Sequence, residues 1–250
     1  MSEAFASTFA RGLRLLESFT AEAPRMTLAQ LAEATGLDRA VARRLVMTLV
    51  QLGYARQAGR SFELTPQVLS LGHAFLASHG WGSRLNRDLD ALSVELSETV
   101  SVSVWSGKKV LTIARSNAAG RHMILGTPDG ELPLHASSAA RVLLSALPED
   151  QVRELLQRTA RPRFTEHTLT RIDDIIDSIR RCRRDGHLIA REELELGLVA
   201  ASVPLHDQQA TLIGTLNVSS HVSRVGTDQW AHTVLQALKR TAATLSASVP

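Results

Sequence analysis

Apolar residues recur every three or four positions through the first fifty residues, a spacing that places them on one face of a helix. Polar and charged residues fill most of the positions between them. The pattern predicts three helices, whose apolar stripes are Phe9, Leu13, Leu16 and Phe19; Leu28, Leu31 and Ala32; and Val41, Leu45, Leu49 and Leu52.

The second and third predicted helices are bounded by residues that cap helix ends. Thr27 and Gln30 form a capping-box pattern at the start of the second helix. Gly36 suits the left-handed conformation that ends a helix, and Asp38 can cap the start of the third. Two helices joined by a short glycine turn have the layout of a helix-turn-helix.

A hairpin and a further helix are predicted next. Residues 54–56 and 61–64 form two short alternating segments around Gly59, which indicates a hairpin, and Pro66 stops the second strand. A hairpin directly after a helix-turn-helix is a wing. The apolar positions Val68, Leu71, Gly72 and Phe75 then predict a linker helix.

The rest of the chain predicts an α+β domain. Val100, Val102 and Val104 alternate with serines, as in a half-buried strand. Further strands are predicted at Val110 to Ala114, His122 to Leu125, His187 to Arg191, Val199 to Leu205 and Thr211 to Ser219. Further helices are predicted at Leu85 to Leu96, Ala136 to Ala146, from Pro148 onward, Ile172 to Ile179 and Val234 to Leu245. A sheet flanked by helices can enclose a ligand pocket.

The third helix is predicted to carry a basic face. With roughly 100° between successive residues, Arg39 and Arg43 fall almost opposite the apolar stripe, with Ala40 and Met47 nearby and Arg44 towards the flank. DNA requires positive charge for its phosphates and forked donors for guanine edges.

The whole segment from residue 36 to residue 62 is basic. It contains five arginines, of which Arg60 lies at the predicted wing tip, and one acid, Asp38, so its net charge of +4 exceeds the +3 of the whole chain. An arginine face can also be ordinary solvated surface, and a winged helix can serve protein contact. The predicted DNA-binding residues are Thr27, Arg39, Ala40, Arg43, Arg44, Met47, Arg56 and Arg60.

These residues resemble the IclR family of transcriptional regulators. The resemblance lies in TLAQLAEATG at 27–36, LDRAVARRL at 37–45, LGY at 52–54 and the flanking runs at 9–19 and 64–72. It continues through LPLHASS at 132–138, RVLLSALP at 141–148, EELELG at 192–197 and LNVS at 216–219. Within the family, the steps around Asp38 and Arg43 look most like regulators of protocatechuate and 4-hydroxybenzoate catabolism.

The resemblance implies a winged helix-turn-helix joined to a GAF-like α/β effector domain, in a protein that forms dimers or tetramers. It divides the chain into a DNA-binding domain at 1–66, a linker helix at 67–82 and an effector domain at 83–250. The pocket it implies is lined by Leu132, Ser137, Ser138, Ala139, Leu198, Ala200, Asn217 and Ser219.

Polar residues of this implied pocket suit a carboxylate or aromatic acid. Ser137 and Ser138 open a helix, although Ser137 can equally be a plain helix cap. Arg115 is a candidate anion partner or a structural ion-pair residue. Arg191 replaces an acidic residue common in the family; it either approaches an effector carboxylate or points to solvent at a strand end.

Composition and motifs argue against a metal site, a catalytic site and a membrane span. The nine histidines and the single Cys182 lack metal-ligand spacing, and no nucleophile elbow or phosphate loop occurs. Arginines around Cys182 can lower its pKa, but a basic helix C-terminus explains them as well. No apolar run reaches about 18 residues, and residues 1–9 lack a signal pattern.

We therefore expect a cytoplasmic, effector-responsive regulator that binds operator DNA and itself, with no cofactor, metal site, catalytic residue or membrane partner. The alternative is an enzyme or scaffold that uses the winged helix for protein contacts.

Overall fold

The computed structural model describes residues 5–78, 81–107, 109–117, 131–226 and 228–247, apart from the side chains of residues 82–84 and 228. The chain separates into two compact units, Met1–Ala77 and Ser78–Pro250. The predicted strand at His122 to Leu125 lies outside the described residues.

The first unit is a helix-turn-helix with a small antiparallel sheet. Its elements are α1 (Ser7–Glu17), β1 (Arg25–Thr27), α2 (Leu28–Thr35), α3 (Arg39–Gln51), β2 (Ala55–Ala58), β3 (Ser61–Leu64) and α4 (Leu69–Ser78). The sheet order is β1-β3-β2. The hairpin β2–β3 was predicted, and the structure adds β1, which pairs antiparallel with β3.

The predicted caps of the helix-turn-helix are confirmed. The Thr27 side chain accepts from the Gln30 amide while the Gln30 side chain accepts from the Thr27 amide, forming a capping box. Gly36 ends α2 with a φ of 64°, a left-handed conformation that glycine adopts at little cost. Asp38 Oδ1 accepts from the Ala40 amide at 2.7 Å and so starts α3.

The predicted apolar stripe of α3 is wrong by a rotation of about 50° around the helix axis. The buried residues of α3 are Ala42 and Val46, while Leu52 is 62% exposed. Leu45 and Leu49 pack against the core only partly buried. A pattern that counts large apolar side chains misses a small alanine at the closest point of contact. The outward face of α3 therefore turns towards Arg44 and Met47.

Apolar side chains are also exposed on α1 and α4. The buried residue of α1 is Leu15, between the predicted stripe positions, while Phe9 is 68% exposed. No residue of α4 is buried, and Leu71 of its predicted stripe is 54% exposed. Helical periodicity identified both helices correctly, but the residues that the structure describes leave Phe9 and Leu71 uncovered.

The second unit has the expected α+β architecture. Its helices are α5 (Gly82–Leu96), α6 (Ser138–Leu144), α7 (Glu149–Arg158), α8 (Ile172–Asp185) and α9 (Asp228–Ser246). Its strands are β4 (Thr99–Trp105), β5 (Val110–Ser116), β6 (Glu131–Leu132), β7 (Leu188–Arg191), β8 (Leu198–His206) and β9 (Leu212–His221). The antiparallel strand order is β6-β5-β4-β9-β8-β7.

Both faces of this sheet are covered at its centre. Ser103 of β4 is fully buried, as is Val102 on the opposite face, so β4 is not the half-buried strand that was expected. Helix α6 packs against β8 and β9, and α5 packs against β4 and β5. Every residue of α6 is buried. The helix thus lies between the sheet and α8.

Replacing Leu15 by alanine should lower the free energy of unfolding of the first unit by about 2–5 kcal/mol, since Leu15 is fully buried. Leu52→Ala is the matched control, because it removes the same atoms from a largely exposed site and should change stability by no more than about 0.5 kcal/mol. Urea denaturation of both full-length variants, followed by circular dichroism, measures the difference. Equal losses would contradict the observed orientation of the helices.

Candidate functional site

The outward face of α3 carries the predicted cations. Arg39, Arg43 and Arg44 are all exposed. Arg43, Arg44 and Met47 line one shallow surface groove along the helix. Counted from the buried Ala42 and Val46, Arg44 lies opposite the stripe. Arg39 and Arg43 lie beside the stripe, so the predicted placement of these two arginines opposite it, with Arg44 on the flank, is wrong.

Two other predicted residues act in the caps of this motif. The Thr27 hydroxyl is within 2.9 Å of the Gln30 side-chain oxygen, and the Ala40 amide is held by Asp38. Ala40 lies exposed in the first turn of α3, whereas Thr27 is half-buried. Their clearest role in the structure is to fix where each helix begins.

Of the two arginines in the wing, one is exposed and the other forms an ion pair. Arg60 is exposed at the turn between β2 and β3. Arg56 instead pairs with Glu63 on the neighbouring strand, and Arg25 pairs with the same carboxylate from the other side. The Arg25 guanidinium, and then that of Arg56, hold the pKa of Glu63 below its ordinary value against the effect of burial. Neither Glu63 nor Arg25 was predicted from the sequence.

A cavity lies in the second unit between the sheet and the start of α6. It contains about 550 Å³ of empty space, part of which opens to solvent. It is lined by Ser101, Thr112, Arg115, Leu132, Ala136, Ser137, Ser138, Ala139, Ala190, Glu193, Leu194, Leu198, Ala200, Asn217 and Ser219. Nine of the ten predicted effector residues are in this set.

The strand register explains why these residues meet. Ser101 lies opposite Asn217 across β4 and β9, and Ala200 lies opposite Ser219 across β8 and β9. Residues of one parity along neighbouring strands share a face of the sheet. That face turns towards α6, where Ser138 Oγ lies 2.7 Å from Ser202 Oγ.

The tenth predicted residue, Arg191, does not join the cavity. Its side chain is exposed at the end of β7, while Ala190 before it and Glu193 after it line the wall. The solvent-directed alternative is the one observed, because side chains alternate along a strand. Ser137 does cap α6, accepting from the Ala140 amide at 3.4 Å, and lines the cavity as well.

Two family models match nearly the whole chain. The IclR helix-turn-helix domain matches residues 8–59, and the bacterial transcriptional regulator IclR C-terminal domain matches residues 73–247. The chain belongs to the IclR family of transcriptional regulators.

Individual IclR-type regulators are similar over most of their length. The Pca regulon regulatory protein of Pseudomonas putida is 35% identical over 88% of this chain and 76% of the relative. The crystal structure of a putative transcriptional regulator from Rhodococcus sp. RHA1 has a TM-score of 0.81, 33% identity and 98% coverage of both chains.

A further structure contains a bound aromatic acid. It is a double mutant of the PobR transcription factor inducer binding domain from Acinetobacter, in complex with 3-hydroxybenzoic acid. It has a TM-score of 0.61 and 29% identity, and the match covers 66% of this chain and 97% of that one.

Six further residues that were not predicted line the cavity of this IclR-family chain: Ser101, Thr112, Ala136, Ala190, Glu193 and Leu194. Parity with Asn217 could have indicated Ser101 once the strands were paired. Glu193 gave no such signal, because its direction is set by the turn between β7 and β8. Glu192 in that turn has a φ of 56°.

Glu193 belongs to a buried ion pair beside the cavity. Its Oε1 accepts from Arg141 Nη2 at 2.6 Å, and Arg141 Nη1 donates to Ser178 Oγ at 2.9 Å. Arg141 is 1% exposed. A buried cation requires such a partner, since an unpaired charge in the core is costly. The pair links α6 and α8 to the wall of the cavity.

His135 is a buried titratable group next to the cavity residue Ala136. Its Nε2 lies 2.9 Å from the Pro162 carbonyl, and its ring stacks on Phe164. Burial, opposed by the bond to Pro162, lowers the pKa of His135 below 6.5. The ring is therefore neutral near pH 7, with Nε2 donating.

Other chemistry is not supported at the described positions. Burial raises the pKa of the Cys182 thiol and outweighs the lowering by Arg141 and Arg183, which favours the helix C-terminus alternative over an activated thiol. Neighbouring arginines are engaged elsewhere, as Arg180 is with Glu149 and Arg183 with the Ser145 carbonyl. No group of three potential metal ligands occurs among the described residues. None of the described helices has the length and apolar character to cross a membrane.

The lowered pKa of His135 predicts a pH dependence of stability. The neutral ring stabilises the fold fully above pH 6.5, and this contribution falls as pH decreases, because the unfolded chain then binds the proton more readily. Between pH 7.5 and pH 5.5, wild type should lose more free energy of unfolding than His135→Gln, which keeps an N–H donor for Pro162. Parallel pH profiles of the two proteins in urea denaturation would contradict this assignment.

Proposed function

We propose that this chain is an effector-responsive regulator of a catabolic operon for small aromatic carboxylic acids. The supporting observation is the pairing, in one IclR-family chain, of exposed arginines on α3 with a cavity that is lined by both apolar and polar groups. The aromatic acid bound to the PobR domain supports the chemical class of the ligand.

The proposed DNA contacts centre on the outward face of α3. Arg43 and Arg44 enter the major groove, since a bidentate guanidinium can read guanine and also pair with phosphate. Met47 and Ala40 lie on the same side and supply apolar contact, and Arg39 reaches the backbone from the first turn. Arg60 at the wing tip contacts phosphate or the minor groove. Thr27 and Arg56 lie at the edge of the proposed DNA interface and contribute less, because their side chains are already bonded to Gln30 and Glu63.

The proposed effector site is the cavity of the second unit. Arg115, on β5, is the arginine that lines it among the described residues, and it attracts the carboxylate of the ligand. Leu132, Ala139, Leu198 and Ala200 provide apolar contact for a ring, as ligand pockets commonly do. The effector acts by binding two arrangements of the DNA-binding units with different affinities.

The proposal includes self-association in the cytoplasm, as a dimer or tetramer. Phe9 of α1 and Leu71 and Phe75 of α4 are exposed on helices of the first unit, and apolar helix faces of this kind are covered in oligomers. A second copy of the chain is the proposed occupant. Residues 1–66 then bind DNA, residues 67–82 link, and residues 83–250 bind the effector.

Arg43→Ala should weaken specific DNA binding by about 1–3 kcal/mol, which is about 5- to 150-fold, because the guanidinium contacts base or phosphate. Arg158→Ala is the control: it removes the same charge from α7, where the side chain is 77% exposed and paired with Glu154. Fluorescence anisotropy with a duplex from upstream of the gene, at two salt concentrations, measures both. Coincident isotherms for the two variants would remove Arg43 from the interface.

Arg115→Gln should weaken binding of 4-hydroxybenzoate or protocatechuate about tenfold, since a charge-assisted bond to a carboxylate contributes about 1.5–3 kcal/mol. Arg191→Gln is the matched control, because Arg191 is an exposed strand arginine outside the cavity. Isothermal titration calorimetry of the full-length variants distinguishes them. An equal loss of affinity in both would mean that Arg115 acts only through long-range charge.

A further inference from the structure

Two buried acceptor atoms in the cavity wall have no hydrogen-bond partner among the described residues. They are Glu193 Oε2 and Asn217 Oδ1. Both residues line the cavity, and Asn217 is 5% exposed. Buried polar atoms are almost always paired, because leaving one unpaired forfeits its hydration without compensation. Because both atoms line the cavity, a ligand bound there can donate hydrogen bonds to them.

The assignment of the Asn217 oxygen follows from its neighbours. The Asn217 amide nitrogen lies 3.3 Å from the Ser101 carbonyl and 3.1 Å from Ser103 Oγ. A carbonyl oxygen can only accept, so the nitrogen must face it. The amide oxygen is therefore the atom left over, and it can only accept.

Glu193 is held in place by contacts outside the cavity. Arg141 occupies its Oε1, and its backbone carbonyl accepts from Thr168 Oγ1 at 2.6 Å. The neighbouring Glu192 carbonyl accepts from Thr165 Oγ1 at 2.5 Å. The carboxylate thus keeps its charge partner when Oε2 bonds to something else, and its position does not depend on the ligand.

We propose that Glu193 and Asn217 form a hydroxyl-binding subsite, and that Glu193 selects effectors that donate a hydrogen bond to it. The inference rests on the proposed function, since it concerns the same cavity. An unsubstituted aromatic acid carries only acceptors once ionised, so it leaves both wall atoms unpaired. A ring hydroxyl donates to one of them, and the negative charge of Glu193 turns the ligand carboxylate away towards Arg115.

Matched ligands test the subsite on the unaltered protein. Fluorine is close to a hydroxyl in size but has no proton to donate. Isothermal titration calorimetry of the full-length chain should show 3- or 4-hydroxybenzoate binding at least about tenfold more tightly than the corresponding fluorobenzoate and benzoate, because a site built around a hydroxyl rejects analogues that lack it.

Variants then assign the discrimination to residues. Glu193→Gln should bring the ratio of hydroxy-acid to fluoro-acid affinity towards one, since an amide can donate as well as accept. Asn217→Ala removes the second acceptor and should also lower the ratio of hydroxy-acid to fluoro-acid affinity. If Glu193→Gln unfolds at a lower temperature because Arg141 loses its partner, Asn217→Ala remains as the test of the subsite. A ratio unchanged from wild type in a folded variant would overturn that residue's assignment.

The wild-type panel separates failure of this inference from failure of the proposed function. Equal affinity for hydroxy, fluoro and unsubstituted acids would overturn the hydroxyl subsite and leave the aromatic effector standing. Binding of none of the acids, by a protein that still binds its upstream DNA, would overturn both the aromatic effector and the subsite.

Discussion

The close contact of α3 with the rest of the helix-turn-helix is the constraint on which the proposed DNA contacts depend. Ala42 and Val46 are completely buried in one cluster with Leu15 and Leu31. An alanine at the contact allows the helix backbones to approach closely, and it leaves no freedom for the helix to roll without opening a void. Once this stripe is fixed, the positions of Arg44 and Met47 on the outer side, with Arg43 at its flank, follow from helical geometry. The Asp38 cap fixes where the helix starts.

A different constraint shapes the second unit. The Arg141 guanidinium is buried in a helix whose every residue is buried, so its charge must be paired within the core. Glu193 provides that pairing from the turn between β7 and β8, which places one of its oxygens in the wall of the cavity. The same ion pair that stabilises the buried charge of Arg141 therefore places a fixed carboxylate in the wall of the cavity. Glu193 thus combines a role in stability with the proposed role in ligand selectivity.

The sequence predicted most of this architecture because local signals agreed with the tertiary structure. Thr27, Gly36 and Asp38 cap helices through contacts with residues only a few positions away in sequence, so these caps could be inferred directly. The cavity strands were identified by alternation, the family resemblance supplied eight of the cavity residues, and Arg115 was added from its place after a predicted strand. The rotation of α3 was missed because periodicity weights large side chains, whereas packing is closest at the small Ala42. Glu193, and Arg25 and Glu63 in the wing, were missed because their roles come from cross-strand pairing and turn direction.

Site-directed labelling at Met47 tests the orientation of α3 most directly. In a full-length Met47→Cys variant that still binds its upstream duplex, the new thiol should react readily with a maleimide when the protein is free, because position 47 is exposed. Buried Cys182 should react slowly throughout. Saturating duplex should block the reaction at position 47. Labelling that proceeds at the same rate with and without bound duplex would contradict the placement of this helix face against DNA.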